Sequence, residues 1–221
     1  MVDGKMNKVI YEDNHLLVVE KPQNVLVQAD NTNDLDLLTS LKKYIKEKYN
    51  KPGEVYLGLV HRLDRPVGGV MVFARTSKAA SRLSNMIRMH EFEKNYLAIV
   101  DGKVPDEGVF EDYLLKLENE NKTIVDKNGK YSKLSYKDGL SLVKIKLDTG
   151  RSHQIRVQFS SRGYALWGDQ KYNSKAKVGE QIALWSYELK FKHPVREELM
   201  NFKCDPPIKY PWTLFGDTIH D

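Results

Sequence analysis

Short apolar runs broken by polar turns fill most of the chain, a pattern that predicts strands more often than helices. "KVIYEDNHLLVVEKP" (8–22) reads as two strands around the polar turn Glu12–His15, with Pro22 ending the second. "NVLVQ" (24–28) offers another short extended run. The period changes at 34–49, where Leu38, Leu41 and Ile45 share one helical face. Asp34 and Asp36 open that segment and Lys46 and Lys48 close it, as a helix dipole favours. A strand–loop–strand unit is predicted at 55–75, its flanking runs "YLGLV" and "GVMVF" apolar enough to be buried. Ser77 reads as the N-cap of a helix to about His90, with Leu83, Met86 and Ile87 inward. "FEKNYLAIV" (92–100) is a strand ended by Asp101-Gly102. Residues 109–147 are strand-rich, with a hairpin signal at Asp138-Gly139. At 149–163 the period becomes helical again: Ile155 and Phe159 lie four apart, Ser152 can cap and Gly163 can end the helix. "KCDPPIKYPW" is kept irregular by its prolines. Strands and hairpins outnumber helices, so the fold class is α+β, a mainly antiparallel mixed sheet with few flanking helices.

Composition narrows this picture only a little. The 221 residues suit one domain, 1–221, built of two lobes, with 1–7 as a flexible tail. At 41% apolar and 29% charged, the chain can bury a core. No apolar run approaches the ~18 residues of a membrane span, and the N-terminus lacks an apolar signal core, so a cytoplasmic location is expected. A single cysteine, Cys204, excludes an internal disulfide. The net charge of +5 mildly favours a polyanionic partner. There is no glycine-rich phosphate loop and no dinucleotide fingerprint. The six histidines lack the paired spacing of a metal site. Neither a metal nor any other cofactor is therefore expected.

Three segments carry candidate chemistry. In "LVHRLDRPVGGVMVF" (59–73) one acid, Asp64, sits among His61, Arg62 and Arg65. A loop carboxylate beside arginines is ordinarily a surface ion pair. The apolar flanks and the angles open to Pro66, Gly68 and Gly69 favour instead a carboxylate held for chemistry. In "LDTGRSHQIRVQF" (147–159) a Thr-Gly-Arg turn runs into a helix start, gathering Arg151, His153, Gln154 and Arg156 where an anion is favoured. The plainer reading is a capped amphipathic helix with a solvated basic face, and it suits Arg156 and Arg162. In "EKNYLAIV" Tyr96 shares a strand face with Phe92, Lys94 and Ala98. Core packing is the usual role of such a tyrosine, but Lys94 beside it suggests a wet or anion-facing surface.

In this order, these segments resemble the RluA family of pseudouridine synthases. "HRLDRPVGG" is similar to the family's His-Arg-Leu-Asp motif, "KNYLAIVDG" to its tyrosine-bearing strand, and "LDTGRSHQIRVQFSSRGYALWGDQKY" to its Thr-Gly-Arg segment and the Gly-Asp-x-x-Tyr after it. "IYEDNHLLVVEKPQNVLVQ" resembles the family's opening and "LKFKHPV" its late His-Pro element, so the likeness covers nearly the whole chain. It departs at Val67-Gly68-Gly69, where the family commonly has Thr-Ser-Gly; two hydroxyls are lost and the substrate is the property this puts in question. The opening begins by about residue 8, so a catalytic domain without the small RNA-binding domain of many relatives is expected.

The resemblance implies the pseudouridine synthase fold with a central catalytic cleft, and isomerisation of specific uridines in structured ribosomal or transfer RNA. It implies Asp64, Tyr96 and Arg151 as catalytic residues, Asp64 as nucleophile or charge stabiliser. Burial alone raises a carboxylate pKa, and the resemblance gives Arg151 as the distant cation that lowers it again. Arg62, His61, Lys94, His153, Gln154 and Arg156 are its candidates for holding RNA. The target uridine must be flipped from its stack. The partner is an RNA stem-loop, with no membrane and no obligate protein partner, acted on by a monomer. Two rivals stand beside this reading. One is a catalytically inactive RNA-binding module, for which a carboxylate in a basic site has no use. The other is a hydrolase of phosphorylated small molecules using Asp64 with His61, for which a metal cluster or second carboxylate is missing.

Overall fold

The computed structural model describes residues 8–31, 34–111, 115–117, 122–124 and 129–220, so the expected tail at 1–7 lies outside the described residues. The chain divides into two compact units. The first takes residues up to Glu93 and returns for Glu188–Cys204, and the second holds Lys94–Tyr187 and the segment from Asp205 onward.

In the first unit, β1 (Lys8–Glu12) and β2 (Leu16–Lys21) form the expected hairpin, with Leu17 facing Glu12 and Glu20 facing Lys8. The extended run at 24–28 shrinks to one bridge, Leu26 to Asp36. Helix α1 (Leu37–Lys48) is capped by Asp36, whose carboxylate accepts the Thr39 N–H at 2.9 Å, and it buries Leu37, Leu41 and Ile45 while Leu38 is half-buried. β3 (Gly58–Leu59) is only two residues long, and its run is not the buried strand the sequence suggests: Tyr56 is exposed and Gly58, Leu59 and Val60 are half-buried. β4 (Gly68–Ala74) is buried at all seven positions and pairs antiparallel with β2, from Leu16 opposite Ala74 to Lys21 opposite Gly69. Each apolar side chain of Val70–Phe73 contributes about 1.5–3 kcal/mol by leaving water. Helix α2 (Ser77–Arg88) packs on β4 through Ala79 and Leu83. Its cap is Thr76, one residue before the expected Ser77, because Thr76 keeps an extended backbone and accepts the Ala79 N–H at 3.1 Å. Met86 and Ile87 are half-buried.

The second unit is organised around β5 (Glu93–Asp101), which the chain enters at Lys94. After β6 (Glu107–Phe110), a separate two-stranded ladder joins β7 (Leu115–Leu117) to β8 (Lys122–Ile124). β9 (Gly129–Lys137) and β10 (Leu140–Leu147) close the predicted hairpin at Asp138 and Gly139, with φ of 51° and 78°, the positive pair a two-residue turn requires. β10 lies along β5 from Leu147 opposite Lys94 to Leu140 opposite Asp101, and β6 lies along β9. Each of these ladders is antiparallel. Helix α3 (Gln154–Ser160) drives Phe159, 1% exposed, against Phe110 and Tyr131, with ring centroids 4.9 and 5.3 Å away. Strand β11 (Leu184–Lys192) begins in the second unit and ends in the first, where β12 (Leu199–Lys203) pairs with its Glu188–Lys192 part. A 3-10 turn (Trp212–Phe215) and a short helix, α4 (Gly216–His220), finish the second unit. The expected α+β class with few helices is the observed one.

Candidate active site

In the first unit the Asp64 loop hangs between β3 and β4. Asp64 is half-buried and Arg62 and Arg65 are exposed. The loop closes on itself where the Asp64 carbonyl accepts the Val67 N–H at 3.0 Å. Its anchor is Lys21, which the sequence reading passed over. The Lys21 side chain is fully buried at the end of β2, and its ammonium donates to the carbonyls of Pro22 at 3.0 Å, Arg65 at 3.0 Å and Val67 at 2.6 Å. Burial drives the Lys21 pKa down to about 7, with the negative charge of Asp64 acting the other way. Three acceptors match the three N–H groups of the protonated amine, so this geometry belongs to the ammonium form. No motif around "VVEKP" signals such a role, because two of its three acceptors lie more than forty residues away in the chain.

His61 turns inward from the same loop. Its Nε2 accepts the Val72 N–H at 3.1 Å, and its ring packs at 5.9 Å from Phe92. The residues that replace the family's hydroxyl pair also serve the core: Val67 is 2% exposed, and Gly68 and Gly69 are buried at the start of β4. Of the two glycines only Gly69, with φ of 121°, uses the backbone freedom expected of this loop.

The second unit gathers the remaining candidates. Tyr96 (7% exposed) and Lys94 (6% exposed) lie on one face of β5, as predicted. The surface there is not wet. The Lys94 ammonium lies over Gly150, where an added Cβ would stand 3.1 Å from Nζ, so the glycine of Thr149-Gly150-Arg151 makes room for it. Burial lowers the Lys94 pKa and the Asp148 charge opposes that shift. Arg151 is exposed on the turn.

The expected Ser152 cap is absent. The residue before α3 is His153, in a left-handed conformation (φ 56°), with no side-chain cap bond of its own. The turn is held instead by Gln154, whose Oε1 accepts from Thr149 Oγ1 at 2.7 Å and from the Arg151 N–H at 3.3 Å. His153 Nδ1 is 2.8 Å from the Tyr172 hydroxyl. Arg156 overturns the solvated-face reading: it is 6% exposed and forks onto Asp169, Nε to Oδ2 at 2.9 Å and Nη2 to Oδ1 at 2.7 Å. Asp169 Oδ1 also accepts the Lys171 and Tyr172 N–H groups. The Gly-Asp-x-x-Tyr stretch thus clamps the far side of α3. An arginine-to-acid spacing of thirteen in an irregular segment gives no periodic signal by which the pair could be found.

Among the described residues no group of three or more His, Cys, Asp or Glu side chains is placed to hold a metal. None of their helices is long and apolar enough to cross a membrane. The profile of the RNA pseudouridylate synthase family matches residues 15–161, which contain the Asp64 loop, the Tyr96 strand and the Thr-Gly-Arg turn.

The chain belongs to this family.

Curated relatives agree. An uncharacterized RNA pseudouridine synthase of Aquifex aeolicus (strain VF5) is 34% identical, covering 90% of this chain and 69% of its own length. A ribosomal large subunit pseudouridine synthase D of Zymomonas mobilis is 31% identical, with 90% and 69% covered. The RluA resemblance is therefore borne out. As a pseudouridylate synthase the chain is an enzyme that isomerises uridine in RNA, and the silent RNA-binding module loses its ground. The solved structure titled "Human RNA Pseudouridylate Synthase Domain Containing 4" shares the fold. Its TM-score is 0.77 at 23% identity, over 96% of this chain and 92% of that one.

Proposed function

We propose that this pseudouridylate synthase modifies ribosomal RNA and that Asp64 is its reacting carboxylate. The observation that carries the proposal is the mounting of Asp64: a half-buried acid on a closed loop, bolted from beneath by a buried ammonium and flanked by two exposed arginines. The bond from C1′ to N1 breaks, the uracil turns, and a bond from C1′ to C5 forms. N1 gains a proton and C5 releases one to solvent. A carboxylate can form and release the covalent bond that carries the detached fragment.

Arg151 offers a guanidinium to the RNA substrate, and Tyr96 stacks on the uracil and assists proton transfer. Arg62 fills the vacated stack or holds the phosphate, and the nucleotide is flipped out of a stem-loop at a cost of a few kcal/mol. Arg62 and Arg151 are exposed, whereas His61, Gln154 and Arg156 already serve the fold, so the RNA contacts are weighted toward the two arginines. The names of the Zymomonas relative and of synthase C of Buchnera aphidicola favour ribosomal over transfer RNA. A cytoplasmic monomer completes the proposal.

The test is release of tritium from large-subunit ribosomal RNA carrying 5-tritiated uridine. Wild type releases it and Asp64→Asn does not. Equal release by both proteins removes Asp64 from the reaction, and no release by wild type from any cellular RNA removes the enzyme.

A further inference from the structure

Arg65 follows the proposed reacting acid, and three contacts fix where its side chain points. Its carbonyl is held by the Lys21 ammonium at 3.0 Å. Its Nε reaches the Asn24 carbonyl at 3.4 Å, where Asn24 has a left-handed backbone (φ 64°). Its Nη2 donates to Asp34 Oδ2 at 2.7 Å. The backbone is anchored in the core, while the guanidinium stands at the surface, with the arginine and aspartate side chains 47% and 49% exposed. Such an exposed ion pair contributes little to stability. Nor does α1 use Asp34 as its cap, because Asp36 does that work.

We propose that Arg65 is a phosphate-binding residue of the substrate site and that Asp34 occupies its guanidinium until RNA arrives. This rests on the RNA-modifying reading above. A guanidinium fork donates to carboxylate and to phosphate oxygens in the same planar geometry. Asp34 therefore presents to Arg65 the kind of oxygens that a backbone phosphate presents. Binding exchanges one anion for the other, and the displaced carboxylate then faces the polyanion. Asp34 in this role weakens every RNA equally at this contact, leaving an RNA that makes the other contacts to win. The pair thus tunes affinity against indiscriminate binding, by setting a repulsive element beside an attractive one.

A loop tether makes the opposite forecast, which separates the two. If the ion pair merely holds the loop, removing either partner loosens Asp64 and raises KM. If Asp34 is a stand-in for phosphate, Asp34→Asn lowers KM and Arg65→Gln raises it. The probe is large-subunit ribosomal RNA transcribed in vitro with 5-tritiated uridine, with filter binding across a salt series and thermal melting of each variant. Arg65→Gln raises KM about three- to tenfold and lowers the salt slope of binding by about one. Asp34→Asn tightens binding about threefold at low salt, and this gain vanishes in the Arg65→Gln background. A rise in KM for Asp34→Asn overturns the proposal, as does a gain that persists without Arg65. Filter binding reads the exchange whether or not tritium is released. Silence of the wild-type enzyme with an intact exchange therefore defeats the activity reading and leaves this one standing.

Discussion

The segments that carry Asp64 and Arg151 are held by opposite means. At the Asp64 loop, backbone groups converge on one side chain: three carbonyls, two of them in the loop itself, are gathered by the Lys21 ammonium. Around Arg151, side chains converge on one another and on the backbone: Gln154 with Thr149 and the Arg151 N–H, His153 with Tyr172, Arg156 with Asp169. The first scheme fixes the path of the main chain and asks little of the residues along it, so Val67 can replace the family's threonine and simply join the core. The second depends on residue identity at each contact, since a fork needs two nitrogens and a cap needs an oxygen. A loop built like the first tolerates drift in its own side chains but not in its anchor. A turn built like the second tolerates little drift anywhere.

Four substitutions probe this contrast. The largest effect is expected at the acid that the first scheme presents: Asp64→Asn lowers tritium release on the order of 10³-fold or more, with unchanged melting. Next is the fork of the second scheme. Asp169→Asn breaks a buried pair and costs about 3–5 kcal/mol by denaturant unfolding, and Arg156→Lys with Asp169 intact also loses the fork, because one ammonium cannot span both oxygens. Lys21→Met strips the donors from three carbonyls but also relieves a buried charge, so about 2 kcal/mol is lost, with a fall in kcat that the stability loss does not explain. Lys21 also leaves a mark on pH dependence. With its folded pKa near 7 and its unfolded value near 10.5, the unfolded chain binds more protons between those limits. Stability therefore gains a component that rises with pH across that window, and Lys21→Met abolishes it.

The smallest effect lies away from both segments, at Asp13. Burial raises its carboxyl, but N–H bonds from His15 and Leu16 and partners Tyr11 and His193 outweigh that and hold it down to about 2. Its stabilising contribution is complete above the ordinary carboxylate pKa of about 4 and fades as pH falls toward 2. Acid unfolding of Asp13→Asn lacks that component.

Legibility in the sequence followed the range of the interaction. Local patterns gave the hairpin around Glu12–His15, the Asp138-Gly139 turn, the helical face of Leu41 and Ile45 in α1 and the shared face of Tyr96 and Lys94, because each depends on residues a few positions apart. Where an element takes its identity from distant partners, the pattern misleads. "YLGLV" has the apolar content of a core strand, yet only Gly58 and Leu59 find a ladder partner, on β4. Lys21 carries no signal in the sequence, because the carbonyls that close over it lie 44 and 46 residues away. Arg156 reads as a basic surface until Asp169 folds back. For the proposed site, the motifs pointed to the Asp64 loop, the Tyr96 strand and the Arg151 turn, whereas the two anchors that hold the loop and the turn left no local signal.

The interleaving of the two units also sets a timetable. His193 reaches back 180 positions to Asp13 through Nε2 at 2.9 Å, and Cys204 reaches back 184 to Glu20. The first unit cannot complete these contacts until residue 204 has left the ribosome, by which time Lys94–Tyr187 of the second unit has been synthesised. Contacts so distant along the chain slow folding and prolong the exposure of unfinished strand edges. The strands of the first unit therefore wait for their partners while the second unit is made.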